Sequence, residues 1–239
     1  MSLSLEGHTV RSFDGDLSSL HIQAVAMGAL VIEQVQLAVN AYSNWDRATA
    51  TLVLERERKI NLYDAEIEEA ALQVIARRQP VAQDLRAVFA IDKVVTELER
   101  AADEAKKLAL AVLADSDSHG FRPGPATARE TRLLGRLAAL MIRTALEAFD
   151  RLDPAAAAVV LQQDQEMDSE YAAALRRLLT RAMEDVRQLH SAIEAAFVMR
   201  SLERIGDHAR NIARHIGFIG GDFDPQATGV LPSSLSVKN

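Results

Sequence analysis

Glu99 and Asp103 recur further along the chain as Glu203 and Asp207. The windows 94–112 and 198–216, set 104 positions apart, share seven identities in nineteen residues. The shared set includes the Leu-Glu-Arg run and the Asp four residues after the Glu. Neither window holds a proline, and only the second holds a glycine, Gly206, so both read as helix. A spacing of four stacks the two carboxylates of each pair on one helical face. Like charges so placed repel, at roughly 0.2–0.5 kcal/mol in an isolated helix. A single such pair reads as a solvated surface, where charge is common and worth little. The same unfavourable pair at equivalent points of two repeats asks for an opposite charge: a bound cation, a cationic partner surface, or arginines such as Arg100 and Arg204 pairing between helices.

Two further sets of oxygen donors have helical spacing. Asp164 and Asp168 form an Asp-x-x-x-Asp pair, and Glu57 and Asn61 form a second, with Asp64 and Glu68 a turn beyond. Antiparallel neighbours would set Glu57 and Asn61 against Glu99 and Asp103, and Asp164 and Asp168 against Glu203 and Asp207. Carboxylates that converge without a cation have to take up protons or separate. With a cation they make an all-oxygen site suited to Mg, Ca or Mn, and carboxylate-rich sites also hold iron or zinc.

The elements that must position these residues are helices. Leu17, Leu20, Ala24, Met27, Val31 and Ala38 step by threes and fours along a first long helix, with Gln34 a polar intruder and Asp16 its N-cap. A second helix follows Asp46, running to about Ala76 with a dense charged face from Glu55 to Lys59. Pro80 then breaks the pattern and is placed in the first turn of a third helix, from Val81 to about Ala114. The run 115–127 concentrates Gly, Pro, Ser and Asp and reads as a boundary. A fourth helix, about 128–152, carries Leu133, Leu137, Leu140 and Thr144 on one face. Asp153 caps a fifth, with Pro154 at its first position, and a sixth spans about 186–218 with the second Glu-x-x-x-Asp at its centre. The expected fold is all-α, a tandem repeat of two antiparallel three-helix bundles with six long helices. Residues 1–118 form the first repeat, opening on a loosely ordered arm over 1–15. Residues 119–127 form the linker, 128–221 the second repeat, and 222–239 a disordered tail.

Composition narrows the function. Of 239 residues, 49% are hydrophobic and 5% aromatic, which suits close-packed helices rather than sheets. A net charge of −7 argues against a nucleic-acid binder that relies on phosphate neutralisation. With no cysteine there is no disulfide or thiolate metal site, and a reducing cytosol is compatible. The N-terminus has no signal-peptide pattern. No uncharged apolar run is expected to reach the ~18–20 residues of a membrane span, so a membrane role would pass through a partner.

The segments from Glu57 to Asn61, Arg78 to Arg86, Leu98 to Asp103 and Leu202 to Ala213 resemble the PhoU family of phosphate-transport regulators, and the resemblance covers about residues 8–220. It implies a cytoplasmic, non-enzymatic regulator, often a homodimer. Such a regulator touches the ATPase of a phosphate ABC transporter and a membrane-bound phosphate-sensing histidine kinase, and holds the phosphate-starvation response off when phosphate is plentiful. It further implies metal binding, in some members by multinuclear iron or zinc clusters, through acidic motifs that fall here on Glu99, Asp103, Glu203 and Asp207, with Asp164, Asp168 and Glu57. Iron, zinc, manganese and magnesium are the expected metals. Asn61, where a carboxylate would serve, predicts a weaker first site.

Two other readings stand beside this one. A carboxylate-bridged metalloenzyme, an oxidase or a phosphohydrolase, would use the same acids. Di-iron bundles, however, use Glu-x-x-His, and none of the six histidines has a Glu three residues before it. The Gly-x-x-x-x-Gly-Lys phosphate loop is also missing. A metal-free adaptor would instead dock the acidic faces on basic partner surfaces. His208 is a candidate ligand or partner contact, whereas His190 and His215 are read as ordinary polar-face residues.

Overall fold

The computed structural model describes residues 11–114 and 122–219, so the expectations for the arm before residue 11, for linker residues 119–121 and for the tail from 222 lie outside the described residues, whereas 11–15 of the expected arm belong to the first helix and 125–127 of the expected linker to the fourth. The described chain forms six long α-helices: α1 (Arg11–Asn44), α2 (Arg47–Arg78), α3 (Gln83–Leu113), α4 (Pro125–Arg151), α5 (Pro154–Glu184) and α6 (Leu189–Ile219). A single 3-10 turn, Val186–Gln188, leads into α6.

Each repeat turns its first corner in the same way. Trp45 and Leu152 both take left-handed backbone (φ 55° and 47°), and an aspartate follows each as N-cap. The Asp46 carboxylate accepts from the amides of Ala48 and Thr49, and Asp153 from those of Ala155 and Ala156. These bonds satisfy donors that a helix start leaves open, and each cap is worth about 1 kcal/mol. Pro80 departs from expectation. It lies in the turn before α3, because Ala82 adopts positive φ (48°) and resets the chain, so that the helix begins at Gln83. Asp16 is not a cap either. It lies inside α1, which already runs from Arg11, and its carboxylate accepts from Arg78 Nε at 2.9 Å.

Within each repeat the three helices pack on one another, and the repeats join along two seams, α1 on α4 and α3 on α6. Paired residues run in opposite directions across both seams: His21 with Asp150 and Asn44 with Arg132 on one, Glu97 with His208 and Glu104 with Arg204 on the other. Four helices thus form a central layer with α2 and α5 outside it. The core fills this layer, with Leu20, Met27, Leu98, Leu108, Leu134, Met141 and Phe149 nearly free of solvent.

Two sequence expectations about apolar faces are corrected. The Leu133–Thr144 face of α4 is not the buried one, and Leu140 is 46% exposed. The buried face carries Leu134, Ala138, Met141, Ala145 and Phe149, with Gly135 letting α1 come close. Secondly, α1 over Phe13–Asn44 is long and apolar enough to cross a membrane by length and composition. Half of its most apolar window is nevertheless buried against neighbouring helices, as in the core helix of a bundle.

Candidate functional site

Antiparallel packing of α2 on α3 and of α5 on α6 gathers the predicted acids into two clusters. In the first, Glu57 is buried on α2 and faces Asp103 of α3 across Lys106, which pairs with both. Burial pushes the Glu57 carboxyl above its ordinary value, and the Asp103 charge adds to the push. Burial would raise Asp103 too, but hydrogen bonds from Lys106 and Glu57 outweigh it and hold Asp103 low. Glu99 is raised by burial and by the charges of Asp103 and Asp64. Gln34, the polar intruder of α1, closes the cluster from below: its amide donates to Glu57 Oε2 at 2.5 Å and to the Ala102 carbonyl at 3.1 Å.

The second cluster holds Asp164 and Asp168 of α5 with Glu203 and Asp207 of α6. Burial raises Asp168, with Asp164 and Asp207 adding to it. Burial also raises Glu203, helped by Asp207 and Asp168. Glu203 Oε1 accepts from Arg200 at 2.8 Å, while its buried Oε2 has no hydrogen-bond partner.

The charge that offsets each cluster comes from the chain itself. Lys106 Nζ lies 2.9 Å from Asp103 Oδ1 and 3.4 Å from Glu57 Oε1. Arg210 lies 2.7 Å from Asp164 Oδ2 and 2.6 Å from Asp207 Oδ1. Sequence reasoning missed both cations, although they too stand 104 positions apart, each three residues after the repeated Asp. Asn61 is exposed, with no hydrogen bond to the first cluster among the described residues, and it is Asp64 whose charge acts on Glu99.

As candidate metal centres the two clusters are right in donor type, with carboxylate oxygens only. The orphaned Glu203 Oε2 and the raised carboxyls are what an all-oxygen site short of one positive charge would display. Among the described residues, however, no three acidic or histidine side chains converge as a ready set of ligands. Lys106 and Arg210 stand among the carboxylates that such a set would need.

The α3–α6 seam carries a polar network that the sequence did not reveal. His208 Nδ1 lies 2.8 Å from Glu97 Oε2, and the Asn211 amide donates to the same oxygen at 3.0 Å. Burial works to raise the Glu97 carboxyl, but these two bonds prevail and keep it below the usual range. His208 is thus a contact between the repeats. Arg204 crosses the seam to Glu104 at 3.1 Å, the inter-helix pairing weighed above, whereas Arg100 stays on its own helix against Glu97. His190 is exposed, and burial lowers the half-buried His215.

Comparison with known proteins places this arrangement. The model of the PhoU domain matches twice, over residues 25–112 and 131–216, once in each repeat. The phosphate-specific transport system accessory protein PhoU of Serratia marcescens is 39% identical over 215 residues, covering 90% of this chain and 87% of its own. The PhoU of Escherichia coli is 37% identical, covering 100% and 98%. Among solved structures, the crystal structure of PhoU from Pseudomonas aeruginosa superposes with a TM-score of 0.79 at 38% identity, covering 88% of this chain and 100% of that one. The phosphate transport system regulatory protein PhoU from Streptococcus pneumoniae gives 0.77 at 25% identity, covering 87% and 96%.

Proposed function

Because the chain belongs to the PhoU family, we propose that it is a regulatory accessory protein of a phosphate-specific transport system. In this reading it is a cytoplasmic, non-catalytic adaptor and a homodimer. It links the ATPase of a phosphate ABC transporter to a phosphate-sensing histidine kinase and keeps the starvation response off when phosphate is plentiful. The observation that carries the reading is near-full-length similarity to accessory proteins of that system, at 37–39% identity.

The acid clusters are the candidate cation sites of this adaptor. Glu57, Glu99 and Asp103 would hold a metal in the first repeat, and Asp164, Asp168, Glu203 and Asp207 in the second, with iron, zinc, manganese or magnesium as the candidates. A bound metal would supply positive charge and rigid cross-linking between α2 and α3 or α5 and α6. The chain's own part is to let Lys106 or Arg210 swing out of the cluster. The second site is the stronger candidate, because it has four carboxylates and an orphaned oxygen.

The test is affinity capture of the full chain from phosphate-replete and phosphate-starved cells, with metal content measured on the same preparations. Recovery of a transporter ATPase or a sensor kinase is expected, and recovery of neither would sink the adaptor reading. Metal in the wild type that is lost in Glu203→Ala/Asp207→Ala is expected. Zero metal in both, with partner capture surviving chelator, would leave a metal-free adaptor.

A further inference from the structure

The α1–α4 seam lies apart from both acid clusters and opens into a groove of about 460 Å³ lined by Gln36, Asn40, Arg132, Arg136, Leu140 and Arg143 around the small floor of Gly135 and Ala139. No carboxylate lines it, although the chain carries a net charge of −7. Arg136 and Arg143 are exposed and have no hydrogen-bond or ion-pair partner among the described residues. Arg132 is pinned by neutral oxygens only, Asn44 Oδ1 at 2.8 Å and the Ser43 carbonyl at 3.4 Å, so its charge is not cancelled. Of the acids on the same two helices near the groove, Glu33 pairs with Arg56, Asp150 with His21 and Glu130 with Arg177, while Glu147, one turn after Arg143, is exposed and does not line the groove.

Arg132 and Arg136 repeat the unfavourable spacing of the acid pairs with the sign reversed, four residues apart on one face. Between Arg136 and Arg143 lies exposed Leu140. Seven residues are two turns, about 10.5 Å along the axis. That separation fits two acids a heptad apart on another helix. Membrane insertion would need a convex face rich in Leu, Phe or Trp, whereas this surface is concave and offers one leucine.

We propose that the α1–α4 groove is a docking site for an acidic amphipathic helix of a protein partner, read as Glu-x-x-Leu-x-x-x-Glu, with the glutamates on Arg136 and Arg143 and the leucine against Leu140. Arginine suits this role because its planar fork grips a carboxylate with two hydrogen bonds. The inference stands on this groove alone and does not depend on metal in the acid clusters.

The test uses the full chain and a fluorescent twenty-residue helical peptide carrying that pattern, followed by anisotropy at 0.1 M salt. Micromolar binding is expected, weakened at least about tenfold by Arg136→Glu/Arg143→Glu. The control Arg58→Glu/Lys59→Glu changes net charge equally on the exposed face of α2 and is expected to leave the affinity within about twofold. A peptide with its glutamates moved off the common face is expected to bind at least about tenfold more weakly. Equal loss in both double variants, or equal binding of the rearranged peptide, would overturn the proposal by reducing it to general charge attraction. Binding to phosphatidylglycerol vesicles, with none to the peptide, would overturn it in favour of a lipid surface. Displacement of the peptide by millimolar phosphate at constant ionic strength would overturn it in favour of a small anion. Circular dichroism of each variant establishes that it is folded.

Discussion

Lys106 and Arg210 occupy equivalent positions of the two repeats, and each is held between two carboxylates from two different helices. Lys106 joins Asp103 of α3 to Glu57 of α2, and Arg210 joins Asp207 of α6 to Asp164 of α5. Each is an internal counter-ion that ties the outer helix of its repeat to the central layer. Removing one partner of a partly buried pair leaves the other charge uncompensated.

Lys106→Met and Arg210→Met are therefore expected to lower stability by about 1–3 kcal/mol at pH 7. The loss should shrink toward pH 4 as the stranded carboxylates protonate. Chemical denaturation at the two pH values measures it. If these positions also exclude metal, a divalent cation should restore the melting temperature of Arg210→Met more than it raises that of the wild type. An unchanged midpoint in both variants at pH 7 would show that the pairs are too well solvated to matter.

Asp168 and Glu203 give the opposite sign. Burial raises both carboxyls, and neighbouring acids add to it, so the folded state binds their protons more tightly than the unfolded state. Each then costs stability once pH exceeds its folded value, and the cost disappears as pH falls through that value. Glu203→Gln is expected to raise the metal-free melting temperature at pH 7 by a few degrees, about 1 kcal/mol or less, and Asp168→Asn by less, because its side chain is exposed and solvent screens the repulsion. Near pH 4 they should be neutral. The same substitutions should weaken any metal-dependent stabilisation, which scanning calorimetry with and without chelator would detect.

The acid clusters were legible because repetition and four-residue spacing survive in one dimension. Helix boundaries were legible wherever a side chain caps the turn, as at Asp46 and Asp153. What could not be read depends on how helices rotate against each other. The α4 face was misassigned because its leucines and its small residues both have helical period, and only close approach to α1 selects the small ones. Ala82 gave no hint of its positive φ, so the start of α3 was set two residues early. Lys106, Arg210 and Glu97 were hidden among many surface charges, since their partners lie on other helices and nothing local marks them. Gln34, by contrast, was visible as a lone polar residue in an apolar stripe, and its place under Glu57 gives the reason.

Glu97 offers a pH signature for the α3–α6 seam. Burial acts to raise its carboxyl, but the bonds from His208 and Asn211 hold it below the usual range. A depressed acid contributes stability that is present above its unfolded value of about 4.3 and is lost as pH falls through its folded value. Glu97→Gln is expected to cost ~1–3 kcal/mol at pH 6, the range of hydrogen bonds to charged groups. The gap from wild type should close toward pH 3. Urea denaturation at half-unit steps from pH 6 to pH 3 measures it, and a gap that does not vary with pH would mean that the network stabilises by packing rather than by charge.

Two glycines set the width of the other seam, and they should respond differently to alanine. A Cβ on Gly28 would meet the Leu146 methyl groups at 2.6 and 2.8 Å, the far end of a flexible side chain. A Cβ on Gly135 would meet Val39 Cγ2 at 2.4 Å and Cγ1 at 2.9 Å. Valine is stiff at χ1 in a helix, so relief there requires the helices to part. Alanine gains up to ~1 kcal/mol of helix propensity at either site, and overpacking costs ~1–3 kcal/mol. Gly28→Ala is therefore expected to be near neutral, because Leu146 can turn aside. Gly135→Ala should lose ~1–2 kcal/mol of net stability and be rescued by Val39→Ala, which removes the obstructing methyls. Denaturation midpoints of the two single variants, of Val39→Ala and of the double variant complete the cycle. Equal effects at Gly28 and Gly135, or no coupling between Gly135 and Val39, would mean that α1 and α4 are not held this close in solution.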